Sequence, residues 1–234
     1  MKKVLTYIIS ICFVCIALIS IVDFCCFERN FYSKEYEKSS TAEAIGVSDA
    51  DLNTLTDIVL GYLKGNVETM DIELPVNGEV KEVFSERAKL HMVDVKQLYD
   101  NALLFGSITF VLLIVSIVIL IVRKEFVLSD IYLPYKRTLI CFGIVFGCIL
   151  FYALIDFNSF WTNFHHMFFN NDLWLLSYND VLVNMVNETF FFDLVKKIVL
   201  IFLGIIFGVF FILRISSNEN KRSSIWTWNS PKYW

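Results

Sequence analysis

The chain has 234 residues, 56% of them hydrophobic and only 19% charged, with a formal net charge of −4. Its mean hydropathy is +0.60, and the charged share falls below the roughly one quarter usual for soluble domains. That leaves too little polar surface to wrap a single soluble core and no basic field for nucleic acid. An integral membrane protein is expected, and a nucleic-acid partner is excluded.

Four apolar stretches divide the chain, at 4–22, 102–122, 138–155 and 195–213. Each is long enough, or nearly so, to cross about 30 Å of hydrocarbon as a helix. The run Ala102–Val122 carries no charge, which argues against a buried helix of a soluble bundle. The predicted fold class is all-α polytopic, four transmembrane helices with a small extracytoplasmic α/β cap. The predicted layout is a first span over 1–24, a cap over 25–100, a second span over 101–122 and a cytoplasmic loop over 123–137. A third span over 138–157, an aromatic-rich extracytoplasmic segment over 158–194, a fourth span over 195–214 and a cytoplasmic tail over 215–234 complete it. The first segment has the basic start and apolar body of a signal peptide but lacks a small-x-small cleavage pattern before Asp23–Phe27, so it reads as a retained span.

Basic residues orient the spans. Lys2 and Lys3 precede the first, Arg123, Lys124, Lys136 and Arg137 lie between the second and third, and Arg214, Lys221, Arg222 and Lys232 follow the fourth. The positive-inside rule puts these segments, both termini included, in the cytoplasm. The segment from Cys25 to Asn101 carries fifteen acids against eight bases and faces outward. Lys196 and Lys197 oppose the trend and are expected to snorkel to the headgroups. The six cysteines form no disulfide framework: four fall inside spans, and Cys25 and Cys26 are adjacent and sterically poor partners.

Within the cap, residues 48–64 read as an amphipathic helix started by Ser48 or Asp49, with Leu52, Leu55, Val59, Tyr62 and Leu63 on one face and Gly65–Asn66 at its end. Asp71–Pro75 and Glu79–Phe84 flank Asn77–Gly78, a tight-hairpin signal. Ser85 is placed to cap a helix from Glu86 that runs toward the second span. On it Arg87, His91, Asp94 and Leu98 share a face, so His91 has a carboxylate one turn away. The second polar segment, Asp156–Trp174, mixes aromatics with amides, acids and the adjacent pair His165–His166. Two readings stand: an aromatic belt at headgroup depth, or a polar pocket partly lined by these groups. On a helix the two histidines point about 100° apart, so one alone faces such a pocket. No HExxH or short Cys/His spacing occurs, and no metal or other cofactor is expected.

Two segments carry a resemblance. Ser85–Lys96, with its HMxDVK pattern, and Phe164–Leu176, with FHxxFFxNDxWxL, resemble the hallmarks of the bacterial lipoprotein intramolecular transacylase family, four-span proteins of low-GC Gram-positive bacteria. The stretches Leu176–Asp180 and Met185–Phe191 depart from the family's pattern. The resemblance implies an enzyme of the cell membrane that moves the sn-2 acyl chain of a diacylglyceryl lipoprotein onto the α-amino group of its N-terminal cysteine, giving the lyso form. It implies His91, aided by Asp94, as general base and His165 as the group serving the departing glycerol oxygen, two roles the sequence does not order. Asn170, Asn171 and Trp174 are implied to orient the ester or line the pocket, and Arg87 or Lys96 to offset developing negative charge. The expected partners are the lipoprotein and membrane lipids, the chain acting as a monomer with its active site on the extracytoplasmic face. The rival readings are a lipase or acyltransferase using free phospholipid and a non-enzymatic scaffold or sensor.

Overall fold

In the computed structural model the chain is described along its backbone from residue 1 to 229, and in its side chains as far as Asn220. The side chains of Lys221 and Arg222, and Lys232 altogether, lie outside the described residues, so the basic tail used to orient the chain is described only as far as Arg214. The helices in order are α1 (Lys2–Cys26), α2 (Arg29–Ser39), α3 (Thr41–Ile45) and α4 (Asp49–Leu63). A hairpin of β1 (Glu73–Val76) and β2 (Glu79–Glu82) follows, then α5 (Glu86–Val122), α6 (Tyr132–Ile155), α7 (Phe157–Phe168), α8 (Val181–Met185) and α9 (Glu188–Asn229). Two compact units result: residues 1–21, 104–155 and 199–234 in one, 22–103 and 156–198 in the other.

The first unit holds most of the apolar length. Four helices, α1, α5, α6 with the 3-10 turn before it, and α9, are long and apolar enough to cross a membrane. Of the apolar window in α6 only 6% is buried in protein, and in α5 and α9 17%. Side chains such as Leu154 and Phe151 stand 72% and 66% exposed on a backbone whose hydrogen bonds are closed within the helix. Only lipid makes such a surface stable, and the chain is a multi-pass membrane protein. What does pack is specific. Tyr135, almost wholly buried, donates its hydroxyl to the carbonyl of Ile206 at 3.0 Å and meets Phe13 edge-on at 6.0 Å. Lys2 pairs with Asp130 at 2.5 Å, and Arg137 donates to Tyr7 Oη at 2.7 Å. Helix α6 starts at Tyr132 and so takes in Lys136 and Arg137. Pro134 is tolerated in that first turn, where no amide donor is needed.

The second unit is the cap. Ser48 is the residue that caps α4, its Oγ accepting from the amide of Asp51, and Leu52, Leu55, Thr56, Val59 and Leu60 turn inward. The hairpin pairs Val76 with Glu79 across Asn77–Gly78, both at positive φ (55° and 85°), the left-handed pair that a two-residue turn of this hand requires. Residues 29–45, for which the sequence reading offered no element, form α2 and α3. The first is pinned by Tyr36, whose hydroxyl meets Thr56 Oγ1 at 3.0 Å inside the core. Phe190, 1% exposed, is clasped by Phe31, Tyr32 and Tyr36 at 5.2, 4.9 and 6.2 Å, fastening the start of α9 to α2. Two ion pairs, Lys38 with Asp193 and Lys197 with Glu28, reinforce that seam. Lys197, expected to reach for headgroups, instead finds a carboxylate and the ring of Phe31. The overall result is a mostly helical chain with four long apolar helices and a small hairpin-bearing cap.

Candidate active site

Helix α5 begins where Ser85 accepts, through Oγ, from the amide of Ala88 at 3.1 Å. The same hydroxyl donates to Asp180 Oδ2 at 2.5 Å, and Asp180 in turn caps α8 by accepting from the amide of Leu182. The departure from the family pattern at Leu176–Asp180 thus contains a residue that ties two helix starts together. Two turns into α5, the ring of His91 comes within 6.3 Å of the ring of His165 (centroid to centroid). The histidines, far apart in sequence, share one site.

Helix α7 presents His165 by simple periodicity. Phe157, Trp161 and His165 fall at steps of four, and Phe169 continues the row just past the helix end. Asp156 starts the helix by accepting from the amide and hydroxyl of Ser159 at 3.0 and 2.6 Å. His165 is buried, with Trp161 edge-on at 4.5 Å, Trp174 stacked at 4.5 Å and 22°, and Phe169 at 5.9 Å. Phe169 also meets His91 edge-on at 5.4 Å. Phe169 and Trp161 were not singled out in the sequence, where nothing separated them from their aromatic neighbours except their fixed spacing from His165. His166 points away, exposed, and meets Trp174 edge-on at 5.5 Å.

Hydrogen bonds define the state of these rings. His165 Nδ1 lies 2.8 Å from the carbonyl oxygen of Trp161. A carbonyl only accepts, so in the neutral ring the proton sits on Nδ1 and Nε2 keeps its lone pair. Burial pushes the His165 imidazolium below the ordinary histidine range, the Trp161 carbonyl opposing. His91 is lowered too, by burial first and by the neighbouring His165 second, with Asp94 pulling the other way. Both rings are therefore neutral near pH 7. His91 Nδ1 and Trp174 Nε1 are buried and make no hydrogen bond within the described residues. Buried orphans are uncommon in folded proteins, and these two belong to the ring pair and to the tryptophan stacked on it.

The remaining candidates distribute themselves unevenly. Asp94 accepts from Asn171 Nδ2 at 2.9 Å, so its carboxylate steers His91 by field and not by a direct bond. Asn171 Oδ1 also accepts from the amide of Leu173, holding the turn that carries Trp174. Arg87 donates from Nε to the carbonyl of Leu175 at 3.0 Å and from Nη2 to that of Asp172. It is spent on clamping that turn to α5. Lys96 points to the end of α4, donating to the carbonyl of Leu63 at 3.2 Å and pairing with Asp100 at 3.7 Å. Asn170 is exposed. Among the described residues a carboxylate trio, Asp71, Glu82 and Glu86, has metal-ligand spacing, but the ammonium of Lys89 already bridges all three and no histidine belongs to it.

The sequence model of the family described as lipoprotein intramolecular transacylase Lit matches residues 7–191. The chain belongs to that family. As a Lit-family protein it is an acyl-transfer enzyme of lipoproteins, and its two hallmark segments are those that bring His91 and His165 together. No curated protein sequence matches it. A solved structure of the membrane integral lipoprotein intramolecular transacylase Lit from Bacillus cereus superposes with a TM-score of 0.75 at 18% identity, covering 95% of this chain and 98% of that one. Two variants of the same Bacillus cereus protein, one histidine replaced by alanine or by arginine, each give 0.74 at 18% identity and cover 95% of this chain and 96% and 95% of theirs. At that identity the likeness speaks for the Lit fold alone.

Proposed function

We propose that the protein transfers the sn-2 acyl chain of a diacylglyceryl lipoprotein to the free α-amino group of the same molecule's N-terminal cysteine, on the extracytoplasmic face of the membrane. The observation that carries this reading is the pair of neutral imidazoles 6.3 Å apart among aromatic rings, His165 buried and His91 half-buried. Acyl transfer from an ester to an ammonium needs groups that accept two protons from nitrogen and return one to the departing oxygen.

The α-ammonium of the substrate, with a pKa near 8, brings the proton the pair lacks. That proton moves to Nε2 of His165, leaving a neutral amine. The amine attacks the ester carbonyl, and His91 takes the second proton as the C–N bond forms. The C–O bond to glycerol breaks in the same step, as His165 returns its proton to the departing oxygen. The products are the amide and a free glycerol hydroxyl, and His91 releases its proton to water. Proton gain at His91 and proton loss at His165 coincide, so the pair carries at most one positive charge, as the repulsion that lowers His91 favours. Because donor and acceptor belong to one substrate, holding them together contributes most of the rate, several kcal/mol by the proximity effect. Asn171 and Arg87 act as positioning residues, since they fix the turn that places Trp174 against His165.

The test is to block the acceptor. An N-acetylated diacylglyceryl lipopeptide should come back from the enzyme with its ester intact, whereas the free-amine peptide should yield the lyso form with the former sn-2 chain in amide linkage. Free fatty acid from the blocked peptide, or a labelled phospholipid chain in the amide, would overturn this reading in favour of an enzyme acting on free phospholipid.

A further inference from the structure

Away from the histidines, the cap contains a hollow of about 260 Å³ lined by Phe27, Arg29, Asp57, Lys64 and Asn66 with the backbone of α4 behind them. Its position in the chain is telling. Phe27 directly follows Cys26, the last residue of α1, and its ring packs at 5.3 Å on Tyr99, just before the apolar run from Ala102. The hollow therefore opens where two candidate spans give way to polar chain, which is headgroup depth.

Its donors are only partly spent, Arg29 Nη1 being buried without a partner among the described residues. Arg29 is held as a fork, Nε to Asp57 at 3.1 Å and Nη2 to the carbonyl of Asn53 at 3.0 Å, while Nη1 has no partner. Lys64 meets no carboxylate among the described residues, and its ammonium lies 4.0 Å over the ring of Phe27. The Asn66 side-chain amide makes no hydrogen bond among them either. Two cations against one carboxylate leave one net positive charge, inside a cap whose balance is otherwise acidic.

We propose that this hollow binds the phosphodiester of an anionic membrane phospholipid, with Arg29, Lys64 and Asn66 as its donors. One phosphodiester charge matches the one surplus positive charge, and a guanidinium fork with a free nitrogen suits phosphate oxygens. A zwitterionic choline headgroup fits worse: its quaternary ammonium would add a third cation, and the aromatic face that could receive it is already covered by Lys64. Asp57, 69% exposed, keeps an oxygen free to accept from the hydroxyls of a neutral glycerol headgroup. This site and its test stand apart from the acyl-transfer reaction.

Native mass spectrometry of the full-length protein in detergent, titrated with phosphatidylglycerol or phosphatidylcholine, reads the outcome directly. Wild type should retain one phosphatidylglycerol in preference to phosphatidylcholine. Arg29→Gln and Lys64→Gln should each weaken retention by about 10–100-fold, the worth of one charge-assisted hydrogen bond. Lys81→Gln, an exposed cation on the hairpin, should leave it unchanged. Arg29 also braces α4, so Lys64→Gln, which breaks no ion pair, is the decisive variant. Unaltered retention by Lys64→Gln, equal loss in Lys81→Gln, or equal retention of phosphatidylcholine would overturn the proposal. Displacement of the lipid by excess inorganic phosphate would also overturn it, showing a site for free anion.

Discussion

His165 sits where its own helix hands it a carbonyl on one side, with Trp161 edge-on and Trp174 stacked on two others, so its tautomer and orientation are set before substrate arrives. His165→Ala and His91→Ala should each abolish lyso-lipopeptide formation, read by mass spectrometry of a reporter peptide, while His166→Ala keeps most of it because that ring faces out. An inactive His166→Ala beside an active His165→Ala would reverse the assignment. The pH profile follows from the same cage. Free enzyme must hold both rings neutral to accept protons, and burial lowers both imidazolium pKa values. The acid limb of kcat/KM should therefore fall below the ordinary histidine value near 6.5. Asp94 is the one group raising His91, so Asp94→Asn should move that limb to still lower pH and reduce turnover about 10–1000-fold. A limb at or above 6.5, or one that Asp94→Asn leaves in place, would contradict this. The histidines were legible from their motifs. Phe169 was not, because a phenylalanine in an aromatic run looks the same whether it faces lipid or an imidazole.

Among the elements, the most legible were those with local causes. The Asn77–Gly78 turn, the Ser48 cap and the Ser85 start follow from residues that act within three or four positions of themselves. Helices α2 and α3 were illegible because their charged sequence has little helical stripe of its own; tertiary burial of Tyr32, Tyr36 and Ile45 holds them. Their exit depends on Gly46, at φ +82°, where an added Cβ would stand 2.2 Å from Asn77 Oδ1. Asn77 also donates its amide to the Gly46 carbonyl at 2.7 Å. Gly46→Ala should therefore detach the hairpin and cost about 1–3 kcal/mol, seen as a lower thermal midpoint and faster proteolysis in the 66–84 segment. Gly78→Ala, with the same sign of φ but open space around its Cβ, should cost less. Equal losses would mean backbone strain alone, with no contribution from the contact.

At the scale of the molecule, membrane residence was the clearest message of the sequence, since hydrocarbon demands long apolar helices and composition reports them directly. Sidedness rests on charge, and reporter cysteines in a background lacking the six native ones would read it. Ser177→Cys should react with a membrane-impermeant maleimide in intact cells, and Lys124→Cys only after permeabilisation. The reverse pattern would invert the topology and put the histidines in the cytoplasm. The pairing of His91 with His165 was implied by the family resemblance alone, since no local rule says which turn of α5 will face which turn of α7.

Helix α5 runs without a break from Glu86 to Val122, and this continuity sets a vertical distance. At 1.5 Å per residue, the stretch from His91 to Ala102 is about 16 Å long. An ester at the edge of the hydrocarbon lies well short of that height unless the helix leans steeply. On the proposed reaction the lipoprotein would have to be hoisted, part of its sn-2 chain leaving the bilayer. On that reading the aromatic side chains of Phe157–Trp174 would serve as a substitute solvent for the chain. Their abundance would then be the cost of working above the membrane on a substrate that belongs in it.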